Sequence, residues 1–241
     1  MRFTILFENS AREGFVPSWG FSTLIETSEG KSLLFDTGNS YAIWETNARK
    51  LNVNLSDFGH IFLSHFHWDH IGGAIDIAFL SKERKHFVVT DGFSKIFVKQ
   101  LVELGHDVSL AREPYRFDGN FLSTGALRAK GYKYSGLLEQ SLIVFEADRY
   151  ALVCGCSHPG IENIVAYALE LTGKPPTLVL GGFHLMDKTP QEVEQIALAL
   201  KSMEVGFVAP CHCTGALARE IFKEVFGKRY IEAKAGRIIE I

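Results

Sequence analysis

Long apolar runs are missing from this 241-residue sequence: no window approaches the roughly 18 unbroken apolar residues of a membrane span, so a membrane protein is not expected. Met1 to Glu8 alternates apolar and polar residues and lacks the basic start and long apolar stretch of a signal peptide, which points to a cytoplasmic chain. Basic clusters are absent as well. The 25 Lys and Arg face 28 Asp and Glu, a net charge of −3, so no sustained positive field awaits double-stranded nucleic acid. No fixed-period repeat, low-complexity tract or Pro-, Gly- or Ser-rich linker interrupts the chain, and residues 1–241 read as one domain. Cysteine is scarce, with four residues in two close pairs, Cys154-Gly155-Cys156 and Cys211-His212-Cys213. A secreted disulfide framework spreads its cysteines more widely, and a structural four-thiolate zinc site separates paired ligands by about two to four residues.

The remainder is 46% hydrophobic and 22% charged, the balance of a chain able to bury a large core. Its first third reads as strands and turns: Phe3 to Phe7, a Gly-bearing loop to Gly20, then Phe21 to Glu26 and Lys31 to Phe35 around Ser28-Glu29-Gly30. Helical spacing from Tyr41 to Leu51 precedes a short buried strand, Ile61-Phe62-Leu63, and a further helix covers Ile75 to Leu80. A strand at His86 to Thr90 and a helix at Phe93 to Leu104 lead into the irregular segment Arg112 to Tyr134. Ser141 to Glu146 and Arg149 to Cys154 form a hairpin around Ala147-Asp148. Thereafter helices and strands alternate: helix Gly160 to Leu171, strand Thr177 to Leu180, helix Pro190 to Met203, strand Phe207 to Ala209, helix Ala216 to Phe226 and a terminal strand at Arg237 to Ile241. Thr189, Pro190 and Glu192 carry the signature of an N-cap with its capping box.

Chemistry concentrates in Ser64-His65-Phe66-His67-Trp68-Asp69-His70, where four strong metal-binding side chains occupy six positions at the end of a buried strand. His65 and His67, two apart on an extended or turning backbone, can point one way and bind a metal ion, while Asp69 and His70 lie across the turn for a second. The buried strand before the run and Gly72-Gly73 after it favour a loop over a helix. Three further histidines, His158, His184 and His212, each end an apolar strand and precede a helix, the place where α/β folds gather function. Asp36, at the end of Leu33-Leu34-Phe35, is placed to hydrogen-bond a ligand histidine. His60, His86 and His106 have no such company and read as structural or surface residues.

These phrases resemble the metallo-β-lactamase superfamily, whose signature is His-any-His-any-Asp-His after a strand, with an earlier strand ending in an Asp-Thr-Gly-like turn such as Asp36-Thr37-Gly38. Gly155-Cys156-Ser157-His158-Pro159-Gly160, Gly181-Gly182-Phe183-His184-Leu185 and His212-Cys213-Thr214-Gly215 resemble a narrower group within it, named after dihydropterin-ribofuranosyl-aminobenzene-phosphate synthase. The resemblance implies an α/β fold, a four-layer αβ/βα sandwich in a single domain, with one or two zinc, manganese or iron ions, zinc foremost. It implies His65, His67, Asp69, His70 and His212 as metal ligands and Asp36 as support behind them. The sequence departs from the superfamily at Cys156-Ser157-His158, where many members supply a bridging aspartate. His158 then completes one site, and Cys156 stands beside it as a supporting residue and candidate thiolate. His184 has no counterpart among the general ligands and is assigned, with Asp69, to catalysis through substrate or oxyanion contact.

The expected activity is that of a metal-dependent hydrolase, with metal-activated hydroxide attacking an ester, lactone or phosphoester and Asp69 orienting the nucleophile. One alternative is a transferase condensing a dihydropterin diphosphate with an aminobenzene ribotide phosphate. Others are an iron-dependent redox enzyme or a non-catalytic metal-binding module. The expected partner is a small molecule, and helix starts at Gly160 and Gly215 suit a phosphorylated one. The loop Asn9 to Gly20 and the segment Arg112 to Tyr134 are expected to shape the pocket, with Phe15, Trp19 and Trp68 able to stack a flat ring.

Overall fold

Apolar side chains alternate along most of the strands, and the two faces they define end in different cores. The structure, a computed structural model, describes residues 1–131 and 134–241. The chain begins with strands β1 (Arg2–Phe7), β2 (Ser22–Glu26) and β3 (Ser32–Phe35), then helix α1 (Tyr41–Lys50) and strand β4 (His60–Phe62). Helices α2 (Trp68–Ile71) and α3 (Ala74–Leu80), strand β5 (His86–Val89), helix α4 (Lys95–Glu103) and strand β6 (Asp107–Leu110) follow. Short strands β7 (Tyr115–Phe117), β8 (Phe121–Ser123), β9 (Leu127–Arg128) and β10 (Leu138–Glu139) lead to β11 (Leu142–Glu146) and β12 (Arg149–Cys154). The last part is α5 (Ile161–Thr172), β13 (Leu178–Gly182), α6 (Pro190–Ser202), β14 (Phe207–Cys211), α7 (Ala216–Phe226) and β15 (Ile238–Glu240).

One large sheet has the order β15-β1-β2-β3-β4-β5-β6 and the other β14-β13-β12-β11-β8-β7, while β9 and β10 pair as a separate two-stranded ribbon. Phe3, Ile5, Leu33, Phe35, Phe62 and Val88 from the first sheet meet Leu142, Val144, Ala151, Val153, Leu178, Leu180 and Ala209 from the second in a common core. The alternate residues face outward under helices. Leu34, Ile61, Phe87 and Val89 pack beneath α1, α3 and α4, and Tyr150, Leu152, Val179 and Val208 beneath α5, α6 and α7. Period-two alternation thus generates four layers, αβ/βα, as expected. Strands β12 to β14 are apolar on both faces because both are covered, which is why they read as continuous runs.

Within each sheet an antiparallel portion is followed by parallel strands, β3-β4-β5-β6 in one and β12-β13-β14 in the other. The carboxyl ends of β3, β4, β12, β13 and β14 deliver Asp36, His65, Cys156, His184 and His212 in turn. Close approach of these ends requires residues without a side chain. A Cβ on Gly181 would lie 1.9 Å from the carbonyl oxygen of Cys154, and one on Gly155 would lie 2.1 Å from the Ser64 hydroxyl.

Two local features differ from the sequence-based expectation. The stretch after His67 is one helical turn, α2, rather than a loop: the amides of His70 and Ile71 both donate to the His67 carbonyl, at 3.0 and 3.2 Å. The turn ends where Gly72 packs against the Asn39 backbone, an approach a Cβ would block at 2.3 Å. Strand β6 was not expected: its alternation, Asp107-Val108-Ser109-Leu110, runs over only four residues, and at the sheet edge none of them is fully buried. No described helix is long and apolar enough to cross a membrane.

Candidate metal centre

The centre sits on the seam between the sheets, and backbone bonds across the seam hold it. Past β4, the Ser64 amide and hydroxyl donate to the two carboxylate oxygens of Asp36, each at 2.7 Å. The Ser64 carbonyl accepts from the Gln140 amide of the other half at 2.9 Å, and His65 bridges to Glu139 as a single antiparallel pair. The Gln140 side chain donates to the Leu63 carbonyl at 2.8 Å and the Val88 carbonyl at 3.1 Å. From the two-stranded β9–β10 ribbon, Glu139 gathers the turn after β12 of the second sheet, accepting from the amides of Cys156, Ser157 and His158 at 2.8 to 2.9 Å. Glu8, at the end of β1, accepts from the His212 amide at 2.7 Å.

Ligand atoms of His65, His67 and His158 all lie within 4.8 Å of one another, and so do those of Asp69, His70 and His212. The His65 Nε2 and His67 Nδ1 are 3.0 Å apart, and the Nε2 atoms of His70 and His212 are 3.2 Å apart. Asp69 Oδ2 lies 3.3 Å from His212 Nε2. Further groups of the same spacing join Cys156 to His65 and His70, to His158 and His184, and to His212 and Cys213.

Protein acceptors fix which imidazole nitrogen carries hydrogen. His70 Nδ1 donates to Asp36 Oδ2 at 2.6 Å, His158 Nδ1 to Glu139 Oε2 at 2.8 Å and His212 Nδ1 to Asn9 Oδ1 at 3.1 Å. Ser64 uses its hydrogen on Asp36, so its oxygen accepts from His65 Nδ1 at 2.9 Å. In all four rings Nδ1 is the anchored nitrogen and Nε2 the one left to face a metal, which for His70 would displace a proton. Burial and the neighbouring imidazoles push His65 and His67 down, toward the neutral form that ligates. His70 is raised to about 9: burial opposes its charge, and Asp36 outweighs burial. Burial pushes Asp36 up, against the His70 charge and the two hydrogen bonds from Ser64, which favour the carboxylate. Asp69 stays below the usual carboxylate range, since His212 and His70 overcome the burial that opposes its charge.

The donor set fits a divalent ion. Imidazole nitrogens face one another across 3.0 Å (His65, His67) and 3.2 Å (His70, His212), and His184 Nδ1 is buried with no hydrogen-bond partner among the described residues. Four residues here, Asp36, Ser157, His184 and His212, hold left-handed backbone with φ of 50, 62, 53 and 49°. For residues other than glycine this costs about 1–3 kcal/mol each and collects at functional sites.

All six residues expected as ligands therefore meet at this seam, with Asp36 behind His70. Cys156, expected as a support and candidate thiolate, lies among the ligand atoms, its sulfur 3.3 Å from His70 Nε2. His184 stands at the rim, its Nε2 3.0 Å from the Tyr134 hydroxyl. Cys154 and Cys211 lie in the cores, away from the centre. Of the expected stacking rings, Trp19 lies 5.0 Å from the His212 ring and Trp68 is exposed, while Phe15 packs against Gly236. Sequence reasoning missed Glu139, Glu8, Asn9 and Cys213. A strand-end acid and the Cys-His-Cys phrase were the signals for Glu8 and Cys213, and a lone Glu in a two-residue strand gave none. Beside His158 and His184 a cleft of about 450 Å³ is lined by Lys130, Tyr134, Gly160 and Lys188. It borders the segment expected to shape the pocket, of which Tyr132 and Lys133 lie outside the described residues.

Four layers with clustered imidazole and carboxylate donors at the sheet ends define the metallo-β-lactamase class, and that superfamily's sequence profile matches residues 19–125. Over that stretch the chain is similar to the metallo-β-lactamase superfamily. The chain is 28% identical to 7,8-dihydropterin-6-methyl-4-(β-D-ribofuranosyl)-aminobenzene-5′-phosphate synthase of Methanocaldococcus jannaschii, over 93% of this chain and 91% of that protein. An uncharacterized protein of the same organism is also 28% identical, over 98% and 99%. The crystal structure of a metal-dependent hydrolase of the β-lactamase superfamily superposes with a TM-score of 0.83 at 27% identity, covering 100% of this chain and 99% of that one. YhfI of Bacillus subtilis, at 17% identity and a TM-score of 0.72 over 99% of both chains, shares the fold.

Proposed function

We propose that this protein is a metal-dependent hydrolase acting on a small, anionic ester, lactone or phosphoester. His65, His67 and His158 would hold one ion and Asp69, His70 and His212 a second, with zinc as the metal. A divalent ion bound there supplies a Lewis acid and makes water acidic enough to serve as a nucleophile near neutral pH. The observation that carries the reading is the common orientation of four imidazoles, each anchored through Nδ1 by Ser64, Asp36, Glu139 or Asn9.

The remaining work falls to the chain's own side chains. Asp69, ionised and turned toward His212, accepts a hydrogen bond from the attacking water and fixes its direction. Lys130 and Lys188 at the cleft, with the first amides of α5 after Gly160, attract and orient the substrate's negative charge. His184 and Tyr134, hydrogen-bonded to each other, donate to the oxygen on which charge develops. A second reading, a transferase joining a dihydropterin diphosphate to an aminobenzene ribotide phosphate, draws on the Methanocaldococcus jannaschii relative's name and on Trp19 as a stacking ring.

Elemental analysis of protein purified without added metal, with turnover assays on bis(p-nitrophenyl) phosphate, simple lactones and a dihydropterin diphosphate, tests both. Zinc at one or two equivalents, with hydrolysis lost in His67→Ala, is expected. Turnover of the dihydropterin diphosphate alone would replace the first reading by the second. A metal-free, fully folded protein would overturn both.

A further inference from the structure

We infer that Cys156 and Cys213 give the centre a sulfur donor face, with Cys156 shared between the two ligand triads, so that the site selects zinc over manganese or magnesium. The inference rests on the metal-dependent reading above and adds which donors choose the ion. Five groups of described residues have ligand spacing, and Cys156 belongs to three of them, more than any other residue. One joins it to His65 and His70, a member of each triad, which puts its sulfur within 4.8 Å of donors on both sides. Cys213 enters with His212 on the second side, and its sulfur contacts the Cys156 carbonyl at 3.5 Å.

Packing does not account for this placement. Cys154 and Cys211 behave as small apolar residues at the ends of β12 and β14, each inside a hydrophobic core. Past each strand end the backbone turns, through Gly155 on one strand and through His212 at φ 49° on the other, and the next cysteine faces imidazole nitrogen instead of hydrocarbon. Glu139 fixes the first turn by taking the amides of Cys156 and Ser157. Sulfur ligates as the thiolate, so each thiol loses its proton to solvent when an ion binds, and thiolate favours zinc where carboxylate and water favour manganese and magnesium.

The test uses the full chain, stripped with chelator and loaded with Co²⁺ alone. Bound cobalt is counted by elemental analysis, and the near-ultraviolet sulfur-to-cobalt charge-transfer band is read beside the visible ligand-field bands. A charge-transfer band is expected in the wild type, retained in Cys154→Ser, weakened in Cys213→Ser and weakened most in Cys156→Ser. Bound cobalt with ligand-field bands but no charge-transfer band would overturn the sulfur face and leave the metal-dependent reading standing; no bound cobalt would remove both. Should Cys156→Ser fail to fold, the wild-type spectrum still decides whether sulfur ligates. A competition between Zn²⁺ and Mn²⁺ gives an independent readout: Cys156→Ser is expected to lower the zinc preference by at least about tenfold, and an unchanged preference would count against the shared ligand.

Discussion

Glu139 carries a disproportionate share of the order in the second half of the centre. Its buried carboxylate takes three consecutive amides and the His158 imidazole, so replacing it with glutamine leaves donors facing an amide that can accept through one oxygen only. Glu139→Gln is expected to cost about 2–4 kcal/mol, read as a lower urea midpoint at pH 7. The carboxyl lies below its ordinary value of 4.5: burial opposes the charge, and His65, His158 and the amides outweigh burial. A lowered folded-state value stabilises above the unfolded one and is lost as pH falls. Wild-type stability should therefore drop on acidification below about pH 4.5, and Glu139→Gln should drop less steeply in that window. Asp36 acts at one remove, holding the proton on His70. Asp36→Asn should weaken zinc binding or turnover by about 10–100-fold with the fold retained, checked by zinc titration beside circular dichroism.

Among the elements, α6 was the most legible, since Thr189, Pro190 and Glu192 place its start and the structure forms the reciprocal capping box. Thr189→Ala should lower stability by about 1 kcal/mol without altering the metal centre, measurable by denaturant unfolding and metal content. The strands were equally plain where both faces are buried, as in β12 and β13, and the histidine run stood out because four ligand types crowd six positions after one such strand. Elements that draw their order from elsewhere were opaque. β6 pairs along an edge without burying an apolar face, α2 is a single turn defined by the close approach of Gly72 to Asn39, and β10 is two residues long yet carries Glu139. Cys156 and Cys213 were visible as a pattern, but which thiols turn inward depends on where each strand stops, and that is a tertiary fact.

At the scale of the whole molecule, each ligand triad draws on both sheets: His65 and His67 meet His158 across the seam, and Asp69 and His70 meet His212. An ion bound to such a set links the two halves and stabilises only the folded chain. At a free concentration about 100 times its dissociation constant, the gain is about 2.7 kcal/mol. For a chain of this length, chelation should then lower the melting temperature by roughly 5–10 °C, recovered on adding zinc and observable by calorimetry.

The left-handed backbone at Asp36, Ser157, His184 and His212 sets two demands against each other. Glycine would sit at each of these strand ends with less strain, and at Asp36, His184 and His212 the exchange would remove a side chain facing the centre. A lineage selected only for thermal robustness would drift toward glycine at these four positions and arrive at a hardier, inert sandwich. At Asp36, His184 and His212 the strained backbone is the cost of presenting a side chain to the centre.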